Sequence, residues 1–213
     1  LRTAAALGLR CQYAPLLHGE MLFVRRFDRL AIPGGVHHLH QESLASLSGQ
    51  RGFGITPSQQ TLVAALRAVA SDPARETLEF IKRDVLNFAL RNTDNHARNT
   101  AVQRTPDGRI QLTPVFDFAP MFKDPEVIAR SGHWRDPAGV RQSDWKQVIE
   151  QLDVPAHERT TLAAELAAFG KLVGNLEVIA RDCGVEQEVL QLCLKSIETQ
   201  ARQLERLSGA HYG

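Results

Sequence analysis

Long apolar runs are missing from this chain: the longest, such as Leu22-Phe23-Val24, extend only a few residues. A helix needs about 20 such residues to cross a bilayer, so a transmembrane helix is excluded and a soluble chain without membrane attachment is expected. An excess of one charge is missing too. Twenty-five Lys and Arg against 24 Asp and Glu leave a formal net charge of +1. Such a balance gives no global field to recruit nucleic acid, so no direct nucleic-acid binding is expected. Three cysteines (Cys11, Cys183, Cys193) stand far apart without C-x-x-C spacing. That argues against a disulfide framework or a zinc site and for a reducing, cytoplasmic compartment. His37, His38 and His40 cluster, yet they lack helical i, i+4 spacing and a nearby Cys or carboxylate pair, and they read as exposed loop. The glycine run from Gly49 to Gly54 lacks the Lys-Ser/Thr ending of a phosphate loop and reads as a surface loop.

What remains is ordinary. With 213 residues, 43% apolar and 23% charged, one globular domain or one large lobe is expected. The chain begins without Met, and Leu1 to Gly8 reads as the last turns of a helix stopped by Gly8; the expectation is that its beginning lies upstream. Glu20 to Phe27 reads as a strand, followed by a loop with Pro33, Gly34 and Gly35, and Gln41 to Ser48 as a helix. From Ser58 the pattern is helical: Leu62, Leu66 and Val69 share a face, then Asp72-Pro73 caps a longer helix carrying Leu78, Ile81, Val85 and Phe88. That helix runs into Asn92-Thr93-Asp94-Asn95-His96-Ala97-Arg98-Asn99. Thr100 to Arg104 and Arg109 to Phe116 read as strands joined by Thr105-Pro106-Asp107-Gly108. After an irregular stretch to about Ser143, helices continue to the end, so the expected class is α+β, mainly helical, with a small β-element.

The polar residues from Asp94 to Asp117 carry the chemistry. If Asp107-Gly108 is a two-residue loop, cross-strand partners have numbers summing to 215, so Asn99 faces Phe116 and Arg98 faces Asp117. A one-residue change of loop length places Asn99 opposite Asp117. Opposed Cβ atoms in such a ladder are about 5 Å apart, so an amide and a carboxylate would sit side by side with Asp94 just outside them. Such oxygen ligands suit an octahedral Mg²⁺ that takes one or two protein groups and the rest from phosphates and water. The order Asp-x-x-x-x-Asn, hairpin, Asp is that of protein kinases, here Asp94, Asn99 and Asp117. Two departures mark it as no ordinary eukaryotic-type kinase: Phe118-Ala119 follows Asp117 in place of Phe-Gly, and Asn92-Thr93 precedes Asp94 in place of His-Arg.

These residues resemble the bacterial HipA-type Ser/Thr kinases, toxins of toxin–antitoxin pairs. The stretch from Asn92 to Asn99 and Leu112-Thr113-Pro114-Val115-Phe116-Asp117 look like the family's catalytic region. Val24-Arg25-Arg26-Phe27-Asp28-Arg29 resembles its hinge strand, and His40-Gln41-Glu42-Ser43 the helix start that follows, so the likeness covers about residues 1 to 122. It implies a hinge region over 1–30 belonging to an incomplete N-lobe and a helical C-terminal kinase lobe over 31–213, with a hairpin carrying the metal ligands. By the same resemblance Asp94 is the catalytic base, Asn99 and Asp117 hold Mg²⁺, His96, Ala97, Arg98, Asn99, Phe116 and Asp117 line the ATP phosphates and metal, and Arg25, Arg26 and Phe27 meet adenine through main-chain groups. Arg25 stands where the family commonly has Glu, and Arg98 either pairs with Asp117 or is solvated.

The implied function is transfer of the ATP γ-phosphoryl group to a Ser or Thr of a protein such as an aminoacyl-tRNA synthetase, with a DNA-binding antitoxin as a possible partner. The family's phosphate-covering loop and ATP-contacting Lys have no counterpart here: Lys82, the first lysine, lies mid-helix. Activity is therefore expected of a full-length parent, with little from this stretch alone. Two other readings stay open. One is a catalytically incompetent lobe that binds an antitoxin; the other is a metal hydrolase built on Asp94, His96 and Asp117.

Overall fold

Asp72 and Pro73 start the helix on which the site is built. The Asp72 carboxylate accepts the Arg75 N–H at 3.1 Å, and Pro73 occupies a position whose missing N–H costs nothing. The structure, a computed structural model, describes residues 1–12, 15–52, 57–123 and 129–209. In it α1 (Arg2–Ala6) is followed by strands β1 (Leu16–His18), β2 (Met21–Phe23), β3 (Arg29–Ile32), β4 (Gly35–His38) and β5 (Gln41–Ser43). Then come α2 (Leu44–Leu47), α3 (Gln59–Val69), α4 (Pro73–Ala89), β6 (Ala101–Arg104), β7 (Ile110–Leu112), β8 (Trp134–Arg135) and β9 (Arg141–Gln142). Four helices close the described chain: α5 (Trp145–Glu150), α6 (Ala156–Gly174), α7 (Leu176–Asp182) and α8 (Gln187–Glu205). None of the helices among the described residues is long and apolar enough to cross a membrane.

The core lies where α4 meets α3, α6 and α8. Ile81, Val85 and Ala89 of α4 are fully buried with Leu66, Leu166, Val173 and Leu190. Trp134 and Trp145 meet edge to face at 6.1 Å between them, and each indole N–H is satisfied, by Asp84 (2.8 Å) and Gln200 (2.7 Å) respectively.

The strand content differs from the expectation. The predicted strand Glu20–Phe27 is only Met21–Phe23, paired with Leu16–His18 across a turn in which Gly19 has φ +59°. The hinge segment Arg25–Phe27 belongs to no strand, with Phe27 in a turn, and the Pro33-Gly34 loop is the turn of a second hairpin, β3–β4, carrying His37 and His38 in a strand. Gln41–Ser43, read as helix, instead pairs with β6 as the outer strand of a three-stranded sheet ordered β5-β6-β7. Cross-strand pairing here outweighs a helical pattern only one turn long. A further short hairpin, β8–β9, sits in the stretch read as irregular. Of the glycine run, Phe53 and Gly54 lie outside the described residues.

The β6–β7 register corrects the hairpin geometry as well. Val102 pairs with Leu112, Gln103 with Gln111 and Arg104 with Ile110, so partner numbers sum to 214 rather than 215. The Thr105 and Arg109 main chains close a three-residue loop, with Gly108 at φ +84°; its left-handed backbone takes up the extra residue. The ladder ends at Val102 and Leu112, so Asn99 and Asp117 are not a cross-strand pair.

Candidate active site

The loop after α4 is fixed at both ends. Arg91 takes the left-handed conformation (φ 55°) just past the helix, and the Asn92 N–H reaches back to the Asn87 carbonyl at 2.9 Å. The buried Asn92 side chain donates to Asn87 Oδ1 (3.0 Å) and accepts the Asp94 N–H (3.3 Å), which sets where the Asp94 main chain begins. At the far end the first N–H groups of α2 are spent on the loop: Leu44 donates to the Thr100 carbonyl (2.8 Å) and Ala45 to that of Ala97 (3.1 Å).

Between these anchors Asn99 Nδ2 donates to the Asp94 carbonyl at 2.9 Å and lies 3.4 Å from Asp94 Oδ2. Asp94 Oδ1 is 3.5 Å from His96 Nε2, while His96 Nδ1 is buried and without a partner among the described residues. Asp117 comes from the opposite side on the segment after β7. That segment is held by Val115 N–H to the Arg10 carbonyl (2.8 Å) and by Arg83 Nη2 to the Thr113 carbonyl (2.8 Å). Asp117 has φ +52°, a left-handed conformation uncommon outside glycine that Asp adopts more readily than most residues.

Two cavities meet at this residue. The polar one, about 40 Å³, is lined by Asp94, His96, Ala97, Asn99, Phe116 and Asp117. The apolar one, about 480 Å³, is lined by Leu22, Val24, Arg25, Phe27, Phe116 and Asp117 among others. They share Val115 to Phe118, and the Phe27 and Phe116 rings meet across the apolar side at 5.6 Å. The structure thus gathers eight of the ten expected site residues around one divided cleft. The other two turn elsewhere: Arg26 forms a two-pronged bond with Asp28 (2.8 and 2.6 Å), which holds that carboxyl below its usual range, and Arg98 reaches the Gly52 carbonyl at 3.2 Å.

Oxygen chemistry is available in the polar cavity. Because Asn99 spends Nδ2 on Asp94, its Oδ1 is the atom left to face a cation, and the Asp117 carboxylate supplies a second hard donor. These residues fit an Mg²⁺ that draws its other ligands from phosphates and water. Among the described residues no three His, Cys, Asp or Glu side chains gather as a self-sufficient metal site. The apolar cavity falls in the size range of small-molecule sites. Burial pushes the Cys11 thiol on its wall up from its usual value, so that sulfur is no ready nucleophile.

Sequence reading missed Arg83, Asp84 and Asn92, all on the polar cavity. One signal was there: Asp84 falls on the α4 face of Ile81 and Phe88, where a carboxylate is buried only if paired.

The model of the HipA-like C-terminal domain matches residues 1–192. The chain belongs to this family. No curated protein matches it. Among solved structures, this HipA-like domain resembles HipA of the toxin–antitoxin system of Shewanella oneidensis MR-1, solved with HipB and operator DNA. The TM-score is 0.65 at 18% identity, over 98% of this chain and 54% of that one. It also resembles the proinflammatory kinase CtkA of Helicobacter pylori, with TM-score 0.58 at 12% identity, over 97% of this chain and 80% of that one. The fold is therefore HipA-like and kinase-like, and the domain spans about half the length of the Shewanella protein.

Proposed function

We propose that a protein carrying this domain is a HipA-type Ser/Thr kinase that moves the ATP γ-phosphoryl group to a hydroxyl of another protein, an aminoacyl-tRNA synthetase being the family's example. The observation that carries this reading is the meeting of Asp94, Asn99 and Asp117 on one polar cavity that shares a wall with an apolar cavity of about 480 Å³. Bound ATP with Mg²⁺ would supply the transferable group and neutralise its charge. In this reading Asp94 would orient the acceptor hydroxyl and take its proton, while Asn99, whose Nδ2 holds the Asp94 main chain, and Asp117 on the same cavity would hold the Mg²⁺. Phe27 and Phe116, both on the wall of the apolar cavity, would pack against the base, with main-chain groups of Arg25 to Phe27 as its expected hydrogen-bond partners. Full activity needs the phosphate-covering elements that HipA-type kinases supply from outside this domain. An antitoxin of the HipB kind is the proposed protein partner, since the Shewanella relative was solved with one. Labelled ATP and Mg²⁺ given to the whole protein test the reading: transfer by wild type that falls at least about 10²-fold in Asp94→Asn supports it, and no transfer by wild type points to a binding domain instead.

A further inference from the structure

The loop that carries Asp94 is bonded to the chain downstream of Asp117 through its neighbour. Asn95 Nδ2 donates to the Gly132 carbonyl (3.2 Å), and Asn95 Oδ1 accepts the Gly132 N–H (3.0 Å), so one side chain binds both main-chain groups of a single residue. The same Nδ2 lies 3.2 Å from Asp84 Oδ1. Asp84, 2% exposed, also accepts from Arg130 Nη2 (2.6 Å), Trp134 Nε1 (2.8 Å) and Asn87 Nδ2 (3.3 Å). Arg130 in turn lies 3.6 Å over the Phe88 ring. A Cβ on Gly132 would stand 2.7 Å from Asn95 Nδ2 and 2.7 Å from Gln59 Nε2, so the contact admits only glycine without displacement. Three chain segments, α4, the Asp94 loop and residues 130–134, therefore meet on one buried carboxylate.

From this we infer that Asn95 is a positioning residue: with Asp84 and Gly132 it locks the Asp94 loop to the 130–134 segment and so sets where the Asp94 carboxylate meets the acceptor. The inference rests on the kinase reading of Asp94. Nothing in the motif spacing requires Asn95, whose side chain bonds Gly132 while that of Asn99 bonds Asp94. A displacement of about 1 Å of a catalytic group costs about a hundredfold in rate, and that is the scale expected when the latch is cut.

The test measures autophosphorylation of the whole protein against ATP concentration for wild type, Asn95→Ala, Asp94→Asn and the double variant. Asn95→Ala is expected to lower the maximal rate by about 10- to 100-fold with half-saturating ATP within about twofold, and to have no further effect on the residual rate of Asp94→Asn, since residues acting as a unit are not additive. A wild-type rate for Asn95→Ala, an equal loss in the Asp94→Asn background, or a change confined to half-saturating ATP overturns the inference. If Asn95→Ala does not fold, Gly132→Ala, which pushes on the same contact, is held to the same outcomes. Failure of the kinase reading is separately visible, as an Asp94→Asn protein with wild-type activity.

Discussion

Asn99 donates its amide N–H to the main-chain carbonyl of Asp94 at 2.9 Å, so the residue proposed to hold the cation is also the clamp on the proposed base. Asn99→Asp is expected to fail on both counts: it loses the donor and sets a second carboxylate beside Asp94. The rate of phosphoryl transfer should fall by at least about 10²-fold, as for loss of a positioned base or electrostatic group. Added Mg²⁺ should not restore it, which titration of the ion in a radiolabel assay checks.

Asp117 combines a carboxylate with a left-handed backbone, and one substitution separates them. Asp117→Gly relaxes φ +52° while removing the oxygens. It should leave the denaturation midpoint equal or higher and abolish ATP-dependent transfer. A large drop in stability would show that the carboxylate holds the fold rather than the ligand.

Two glycines of α6 should behave oppositely. At Gly170 an added Cβ would come 2.9 Å from Leu204 Cβ of α8, and overpacking of this kind costs about 1 to 3 kcal/mol. At Gly174 nothing lies within 4 Å, so Ala there gains helix propensity, at most about 1 kcal/mol. Urea unfolding of Gly170→Ala and Gly174→Ala should move in opposite directions from wild type.

His133 is held below the usual imidazole value, chiefly by burial and then by Arg141 and Arg130. The unfolded chain therefore takes up this proton at a higher pH than the folded one. The stability contribution is present above about pH 6.5, the unfolded value, and is lost as pH falls toward the lower folded value. His133→Gln should flatten that part of a stability profile measured from pH 7.5 to 5, leaving the neutral end nearly unchanged.

The helical half of the fold was legible because it obeys local rules. Ser58 and Asp72 cap α3 and α4 as their residue types suggest, and the periodicity of Leu62, Leu66, Ile81 and Val85 marks the buried faces. The strands were less legible because pairing partners decide them. Gln41–Ser43 has no strand pattern of its own and becomes one only against β6. The motif from Asp94 to Asp117 showed which residues assemble but not how. A three-residue loop shifts the register, and Asn99 reaches Asp117's cavity by the Asp94 clamp rather than across a ladder. The Asp84 cluster was legible only in part: its place on the buried face of α4 marks a carboxylate in need of partners, but two of its donors, Arg130 and Trp134, stand 46 and 50 residues away.

Trp134 and Trp145 are the chain's two tryptophans, and they touch each other inside the core. One is bonded to the carboxylate that gathers the Asp94 loop, the other to α8. The molecule thus contains its own optical gauge: emission from this pair reports on the junction between the cleft and the helical core without any attached dye. Light absorbed at the edge of the indole band samples only that junction, so loosening there is seen apart from the fraying of outer strands.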